Sequence, residues 1–535
     1  MSYDYLIVGA GSAGSTLARR LSEDPNNKVC LLEAGPADNS LMVKIPVGVI
    51  AMMHSKKRNW QYWTEPQEQL DNREIFCPRG KTFGGSSSIN AMIYTRGHRW
   101  DYDHWAELGN NGWSYDDVLP IFKRSENQER GADDYHGVGG GLNVADLRYR
   151  HPVSETFVEA GQQAGFALNN DFNGEEQEGV GFYQVTQKNG ERWSAARGQL
   201  HPVLDRSNLT VISGALANRV LFDGKRASGV EYTQNGESET KRIDATRVIL
   251  SGGAINSPQL LLLSGVGPKA ELDRHGISQV AELPGVGENL QDHLDVIAVT
   301  KSTKRNALSF APSYYIPTGV KAVANYALNR EGPLTSNAAE SGGFIKSDEQ
   351  QDIPDLQIHM TAAPLDNHAL DLRFTLQWAY SCHICDLRPK SRGTVRLKSR
   401  NPAEAPAIDP RYLSDPADVE TLLKGIKHVR NIMAQPAFDH CRGDEIFPGS
   451  DVQTDEELVE FIRKKADTIY HPVGTCKMGD DDMAVVDTEL KVHGLENLWV
   501  VDASIMPTLV GGNTNAPTVM IAHKAADIML GENLD

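Results

Sequence analysis

A short apolar run, Tyr5 to Val8, enters Gly9-Ala10-Gly11-Ser12-Ala13-Gly14 directly, and Thr16, Leu17 and Leu21 then recur at helical spacing until Asp24-Pro25. This order predicts strand, tight turn, helix. Lys28 to Leu32 gives a second apolar strand that ends at Glu33, 19 residues beyond Gly14. That is close to the ~20 residues expected between a glycine fingerprint and its ribose-binding acid. Gly9 permits the turn, Gly11 lets backbone approach a pyrophosphate, and Gly14 lets the helix pack closely. Ser12 and Ala13 open the helix whose free N–H groups face the anion. Glu33, followed by Ala34, is placed to bind the adenosine ribose hydroxyls. The pattern predicts a dinucleotide site in a Rossmann-like α/β fold, and by itself it does not separate FAD from NAD.

At 535 residues the chain is too long for one small binding module. Lys and Arg number 53 against 71 Asp and Glu, a net charge of −18 that repels phosphate backbones, so no nucleic-acid partner is expected. The six cysteines are too few and scattered for a disulfide framework and suggest a reducing compartment. Cys382-His383-Ile384-Cys385 has ligand-like spacing but no second pair. It lies in an alternating apolar stretch, so it reads as two buried thiols, and no metal is expected. The N-terminus enters a strand at once, without a basic leader or cleavage site. Apolar runs such as Leu260 to Leu263 fall well short of the ~20 residues that cross a bilayer. A cytoplasmic protein is expected.

Two further segments carry a family resemblance. Arg79-Gly80-Lys81-Thr82-Phe83-Gly84-Gly85-Ser86-Ser87-Ser88-Ile89-Asn90-Ala91-Met92 closely resembles the first signature of the glucose-methanol-choline (GMC) flavoprotein oxidoreductases. Gly253-Ala254-Ile255-Asn256-Ser257-Pro258, followed by Leu260 to Gly267, is similar to the second. The loop supplies small residues, open N–H groups and hydroxyls, suited to a phosphate and a ring edge. The resemblance implies FAD, with Gly85, Asn90, Ala91 and Met92 against the flavin and Ala217 touching adenine through its backbone. Some members attach FAD through a histidine just before this asparagine. Ile89 stands there, so FAD is expected to be non-covalent.

The resemblance also implies the architecture: a Rossmann-like FAD-binding domain over 1–297, with part of the cavity wall near 155–200, and an α+β substrate domain with an antiparallel sheet over 298–460. Residues 461–535 return to the FAD domain with the catalytic groups. Asn208 to Ile212, Arg219 to Phe222 and Arg247 to Ser251 read as strands of the first domain. Leu356 to Met360, Phe374 to Tyr380 and Thr394 to Leu397 read as strands of the second, followed by an amphipathic helix over Asp418 to Met433. Leu308 to Ala327 is aromatic and apolar with a few positive charges, and it reads as a lid, as a patch that touches a membrane, or as a buried helix.

Tyr470-His471-Pro472-Val473-Gly474-Thr475-Cys476 resembles the family segment with the catalytic histidine, and imidazole suits removal of a hydroxyl proton near neutral pH. Leu498 to Val501 is a strand that ends in Asp502 and Ala503, similar to the segment that returns to the cofactor. In Gly512-Asn513-Thr514-Asn515, Asn513 matches the polar partner of His471, and Asn515 is left to the flavin. A helix over Val519 to Leu530 follows, its N-terminus directed at the flavin in the family, where its partial positive charge favours hydride acceptance. His54, His98, His104, His293 and His523 read as surface or loop residues.

The implied activity is oxidation of a primary alcohol to an aldehyde by hydride transfer to flavin N5, with His471 as base. Ser55 to Trp60 and Gly181 to Gly190 most resemble the bacterial dehydrogenases of aliphatic alcohols, which points to an apolar alcohol. The electrons go to a quinone, another carrier or O2, with peripheral contact at the inner membrane. Choline dehydrogenase and aryl-alcohol or hydroxymethylfurfural oxidase are the alternatives. From a different class, a lyase or a photodecarboxylase of the same fold is the competing reading.

Overall fold

Two sheets follow from two kinds of apolar pattern, in a computed structural model that describes residues 2–237, 239–304, 312–369 and 372–532. The first sheet runs Leu209–Ser213, Val29–Glu33, Ser2–Val8, Thr240–Leu250, Arg226–Gln234, Ala215–Asp223, with Leu498–Val500 also paired to Thr240–Leu250. Its first four strands are parallel, and Val29–Glu33 is buried along its whole length. Parallel strands covered on both faces need such unbroken apolar runs. The helix Ser12–Leu21 starts at Gly11 and buries Leu17 and Leu21 in the core of this sheet.

The second sheet is antiparallel, in the order Arg442–Phe447, Leu294–Ser302, Ala379–Asp386, Leu356–Thr361, Ala339–Ile345, Gly179–Phe182. Side chains alternate faces along a strand. Val296, Ala298, Ile358, Met360, Cys382 and Ile384 go to one face and pack with Leu422, Ile426 and Val429 of the helix Pro416–Met433. Asp295, Ile297, His359, Thr361 and His383 take the other face and line a cavity between the sheets. Register sets His359 opposite His383, and His383 opposite Ile297.

Two expectations change, and the reading of Cys382 and Cys385 as buried thiols holds. Residues 374–380 are not a strand: Leu372–Thr375 is a helical turn and the strand begins only at Ala379. The alternation of large residues does not make a strand because Phe374 is half-buried from the helical turn, stacked on Phe447 at 5.3 Å. Cys382 and Cys385 both lie on that strand, three residues apart, so they face opposite sides, and both thiols are buried and free. Of the 308–327 segment, residues 308–311 lie outside the described residues, and the rest falls in the helix Pro312–Asn329. Val320 is 73% exposed and Val323 57%, so residues 319–327 are not a buried helix.

Candidate active site

The cavity measures about 390 Å³ and touches every candidate residue named above except Gly14. Gly14 is absent from the wall because it sits beneath it: a Cβ there would lie 1.8 Å from the carbonyl oxygen of Gly9. Gly9 has φ +102°, a conformation that favours glycine, and a Cβ added at Gly11 would meet nothing within 4 Å. The Gly84-Gly85 loop closes over this turn, with the Gly84 N–H donating to the Ala10 carbonyl at 2.7 Å. A Cβ on Gly85 would meet Gly11 Cα at 2.8 Å.

Glu33 ends its strand buried. Its Oε2 accepts the Ala10 N–H at 2.9 Å and its Oε1 the Gly35 N–H at 2.7 Å. Burial pushes its carboxyl up to about 7 against those two bonds. A carboxylate has roughly four acceptor positions, so two remain for hydroxyls from the cavity, whose wall here includes Ala34 and, on the strand Ala215–Asp223, Ala217. Ser12 Oγ donates to Asn515 Oδ1 at 2.7 Å, tying the starts of the helices Ser12–Leu21 and Asn515–Leu530 together at one wall. Asp502 accepts the Gly253 N–H at 2.8 Å and the Ser257 hydroxyl at 2.6 Å, which sets Ala503 beside it on the wall. Asn90 Oδ1 accepts the Met92 N–H at 3.1 Å and an Arg192 Nη1–H at 2.8 Å, holding Ala91 and Met92 against the cavity.

At the other end stands His471, in a turn strained enough to give Tyr470 a φ of +77°. Asp292 Oδ1 accepts the His471 N–H at 2.7 Å. His471 Nε2 is 3.1 Å from Asn513 Nδ2, and His471 Nδ1 is 2.9 Å from His293 Nδ1. Asn513 Oδ1 accepts from Gln357 Nε2 at 3.1 Å and from Thr95 Oγ1 at 3.3 Å. Burial, followed by the neighbouring His293, His359 and Arg79, holds the His471 imidazolium far below the usual histidine range. Two histidines depart from expectation here: His293 is fully buried against His471, and His523 is buried within the helix Asn515–Leu530. His98 instead caps the helix Arg99–Glu107.

Several wall residues escaped the sequence reading. His359 is buried and, among the described residues, neither of its nitrogens has a hydrogen-bond partner; His383 Nδ1 meets Asp295 Oδ2 at 2.6 Å, and Arg79 donates to the Tyr470 carbonyl at 2.8 Å. Arg79 lay inside the first signature, while His359 and His383 reach the site only through strand register.

A glycine turn over open cavity, a buried acid with spare acceptor positions and two helix starts at one wall fit a flavin dinucleotide. The chain belongs to the GMC oxidoreductase family, whose two parts match residues 3–295 and 389–522. It is an FAD-dependent oxidoreductase of CH–OH groups. It is 52% identical to an alcohol dehydrogenase (acceptor) of Pseudomonas putida, over 99% of this chain and 96% of that one. Its identity to human mitochondrial choline dehydrogenase is 46%, over 99% and 90% of the two chains. Among solved structures, pyridoxine 4-oxidase from Mesorbium loti superposes with a TM-score of 0.90 at 32% identity, covering 99% of this chain and 100% of that one.

Proposed function

We propose that the chain oxidises a neutral, largely apolar primary alcohol to an aldehyde, with His471 Nε2 as the base that takes the hydroxyl proton. The observation that carries this is the 3.1 Å approach of His471 Nε2 and the Asn513 amide in one buried cavity. FAD, bound without a covalent link, supplies the hydride acceptor. Gly9, Gly11, Ser12, Ala13 and the N-terminus of Ser12–Leu21 receive its pyrophosphate, Glu33 and Ala34 its ribose, and Ala217 its adenine. Gly85, Asn90, Ala91, Met92, Asp502, Ala503 and Asn515 hold the ring end. Burial keeps His471 unprotonated, and a neutral imidazole is the form that accepts a proton. The Asn513 amide has a second N–H with which to orient the alcohol oxygen.

The wall argues for a neutral substrate. Asp295 is bonded to His383, Asp467 to His368 and Asp366 to Lys465, so these carboxylates already have partners. Val49, Ile50, Met53, Ile297 and Leu365 supply an apolar lining. Among the described residues Trp60 and Tyr470 are the aromatic rings on this wall besides histidines, and two rings do not make the cage that a quaternary ammonium needs. The 52% identity to an enzyme named for alcohol and an acceptor supports the same direction. Electrons then pass to a quinone, another carrier or O2. No described helix is long and apolar enough to cross a membrane. Val320, Val323 and Leu328, exposed on Pro312–Asn329, give a cytoplasmic protein a face for peripheral contact with the inner membrane.

The test is anaerobic mixing of the yellow holoenzyme with 1-octanol, benzyl alcohol or choline. Bleaching by 1-octanol in preference to choline is expected, and His471→Ala should keep its FAD but lose on the order of 10²-fold or more in bleaching rate. Bleaching by none of the alcohols would sink the reading, and an unimpaired His471→Ala would remove the histidine from it.

A further inference from the structure

We infer that His293 is a positioning residue: it fixes the proton of His471 on Nδ1 and so leaves the Nε2 lone pair facing the cavity. The inference rests on the reading of His471 as base. His293 lies fully buried just before the strand Leu294–Ser302, and each of its ring nitrogens has one polar partner. Its Nε2 is 3.2 Å from the Leu387 carbonyl oxygen and its Nδ1 is 2.9 Å from His471 Nδ1.

A carbonyl oxygen only accepts, so His293 Nε2 carries a hydrogen. Burial pushes the His293 imidazolium down to about 3, so the ring is neutral and has no second hydrogen to place on Nδ1. His293 Nδ1 is therefore a lone pair. Two lone pairs do not sit 2.9 Å apart in a dry interior, so His471 Nδ1 must be the donor. His471 is neutral too, and its own lone pair is then on Nε2.

The far end of the chain of bonds gives the same answer independently. Gln357 Nε2 and Thr95 Oγ1 both donate to Asn513 Oδ1, which turns the Asn513 N–H groups toward His471 Nε2 at 3.1 Å. An amide N–H only donates, so Nε2 must accept. Every bond points one way: Asn513 N–H to His471 Nε2, His471 Nδ1–H to His293 Nδ1, and His293 Nε2–H to the Leu387 carbonyl. The opposite tautomer of His471 would set donor against donor at Asn513 and lone pair against lone pair at His293.

The alcohol O–H takes the place of the Asn513 N–H at Nε2; when that O–H bond breaks, its proton forms the new Nε2–H bond, the Asn513 N–H turns to the alcohol oxygen, and the positive charge spreads to an Nδ1–H still bonded to His293. The adjacent Asp292 fixes the same residue through its backbone N–H, so two consecutive residues hold His471 at both ends. The groups that face His471 are His293, His359 and Arg79, with Asp292 at its backbone; Asp101 and Arg388 act on His293. The orienting partner is thus a neutral imidazole, where a serine-protease triad uses a carboxylate.

The test uses FAD-loaded enzyme labelled with 15N-histidine, with His471 assigned by its loss in His471→Ala. In wild type at neutral pH the Nε2 shift should be that of a bare nitrogen and the Nδ1 shift that of a protonated one. His293→Leu should keep FAD, show a mixture of His471 tautomers, and slow anaerobic flavin reduction on the order of 10²-fold with alcohol affinity changed less than about twofold. His293→Gln, whose Oε1 accepts and whose amide donates, should restore most of the rate and the wild-type shifts. A wild-type proton on Nε2 overturns the inference, as does a His293→Leu enzyme that reduces at the full rate while His471→Ala does not. Full activity in His471→Ala overturns the base itself instead. If His293→Leu does not fold, the wild-type shifts and His293→Gln decide.

Discussion

At one end of the cavity two glycine turns, within residues 9–14 and 84–85, bring backbone onto or directly beneath the wall; at the other the wall is mostly side chain and comes from at least four stretches. The glycine end recognises by leaving atoms out. Gly9, Gly14 and Gly85 let one chain segment lie on another at distances where a Cβ would collide, and Gly11 leaves the space above the turn open. The histidine end recognises by directing bonds, and His471 is held by the consecutive Asp292 and His293 and by Asn513, from two separate parts of the sequence. The first kind of site fails by not binding. The second fails by binding without reacting.

The largest expected effect is therefore at the glycine end. In Gly14→Val the added Cβ would lie 1.8 Å from the Gly9 carbonyl, a backbone atom that cannot swing away, so the turn itself must deform. The purified protein should carry almost no FAD and should melt several degrees lower. Gly11→Ala sharpens the comparison, because its Cβ meets no protein atom within 4 Å. The ligand-free protein should melt as wild type does, while its FAD content falls. Bound FAD undiminished in both variants would show that the pyrophosphate does not lie here.

A middle-sized effect belongs to the histidine end. Asn513→Ala removes the amide that meets His471 Nε2 and leaves the Gln357 amide and Thr95 hydroxyl without their shared acceptor. FAD should stay at wild-type occupancy, and anaerobic reduction should slow on the order of 10- to 10²-fold. Loss of FAD in this variant would break the division between the two ends.

The contrast also explains what was legible in the sequence. Gly9, Gly11, Gly14 and Glu33 announce themselves because strand, turn, helix and strand follow one another in the chain, so local spacing becomes spatial arrangement. His471 and Asn513 stood out through the segments around them. Nothing local marks His359: in Leu356-Gln357-Ile358-His359-Met360 it looks like one polar residue in a core strand. It faces the cavity because the pairing of that strand with Ala379–Asp386 puts odd-numbered positions on that side. His293 was misjudged for the same reason. Gln291-Asp292-His293 reads as a polar loop, and only the return of the chain at residue 471 buries it. The expected strand over 374–380 failed in the opposite way, since the alternation was present but Phe374 had its own partner in Phe447.

The smallest expected effect is on stability, and it separates the histidine end from a second histidine cluster. His293 and His359 have folded-state values near 3, chiefly through burial, against an ordinary 6.5, and His471 is lowered as well. Below pH 6.5 the unfolded chain takes up protons that the folded chain refuses, so stability falls as pH drops from 6.5 toward 3. At about 1.4 kcal/mol per unit, His293 and His359 each contribute roughly 2 kcal/mol of loss by pH 5, and less where they interact, and His471 acts in the same direction. His136 behaves in reverse. Desolvation lowers it, but bonds to Asp171 and Glu126 outweigh that and raise it to about 9. Its contribution is complete below pH 6.5 and disappears as pH rises through about 9. Urea midpoints of the holoenzyme should therefore carry an acid-side loss from the buried neutral histidines, opposed by the raised carboxyl of Glu33, and an alkaline-side loss from His136. His359→Phe should flatten the acid limb alone and His136→Gln the alkaline limb alone. If either substitution flattened the opposite limb, the histidines would not be held as burial and their partners dictate, and the base at Nε2 would lose its support.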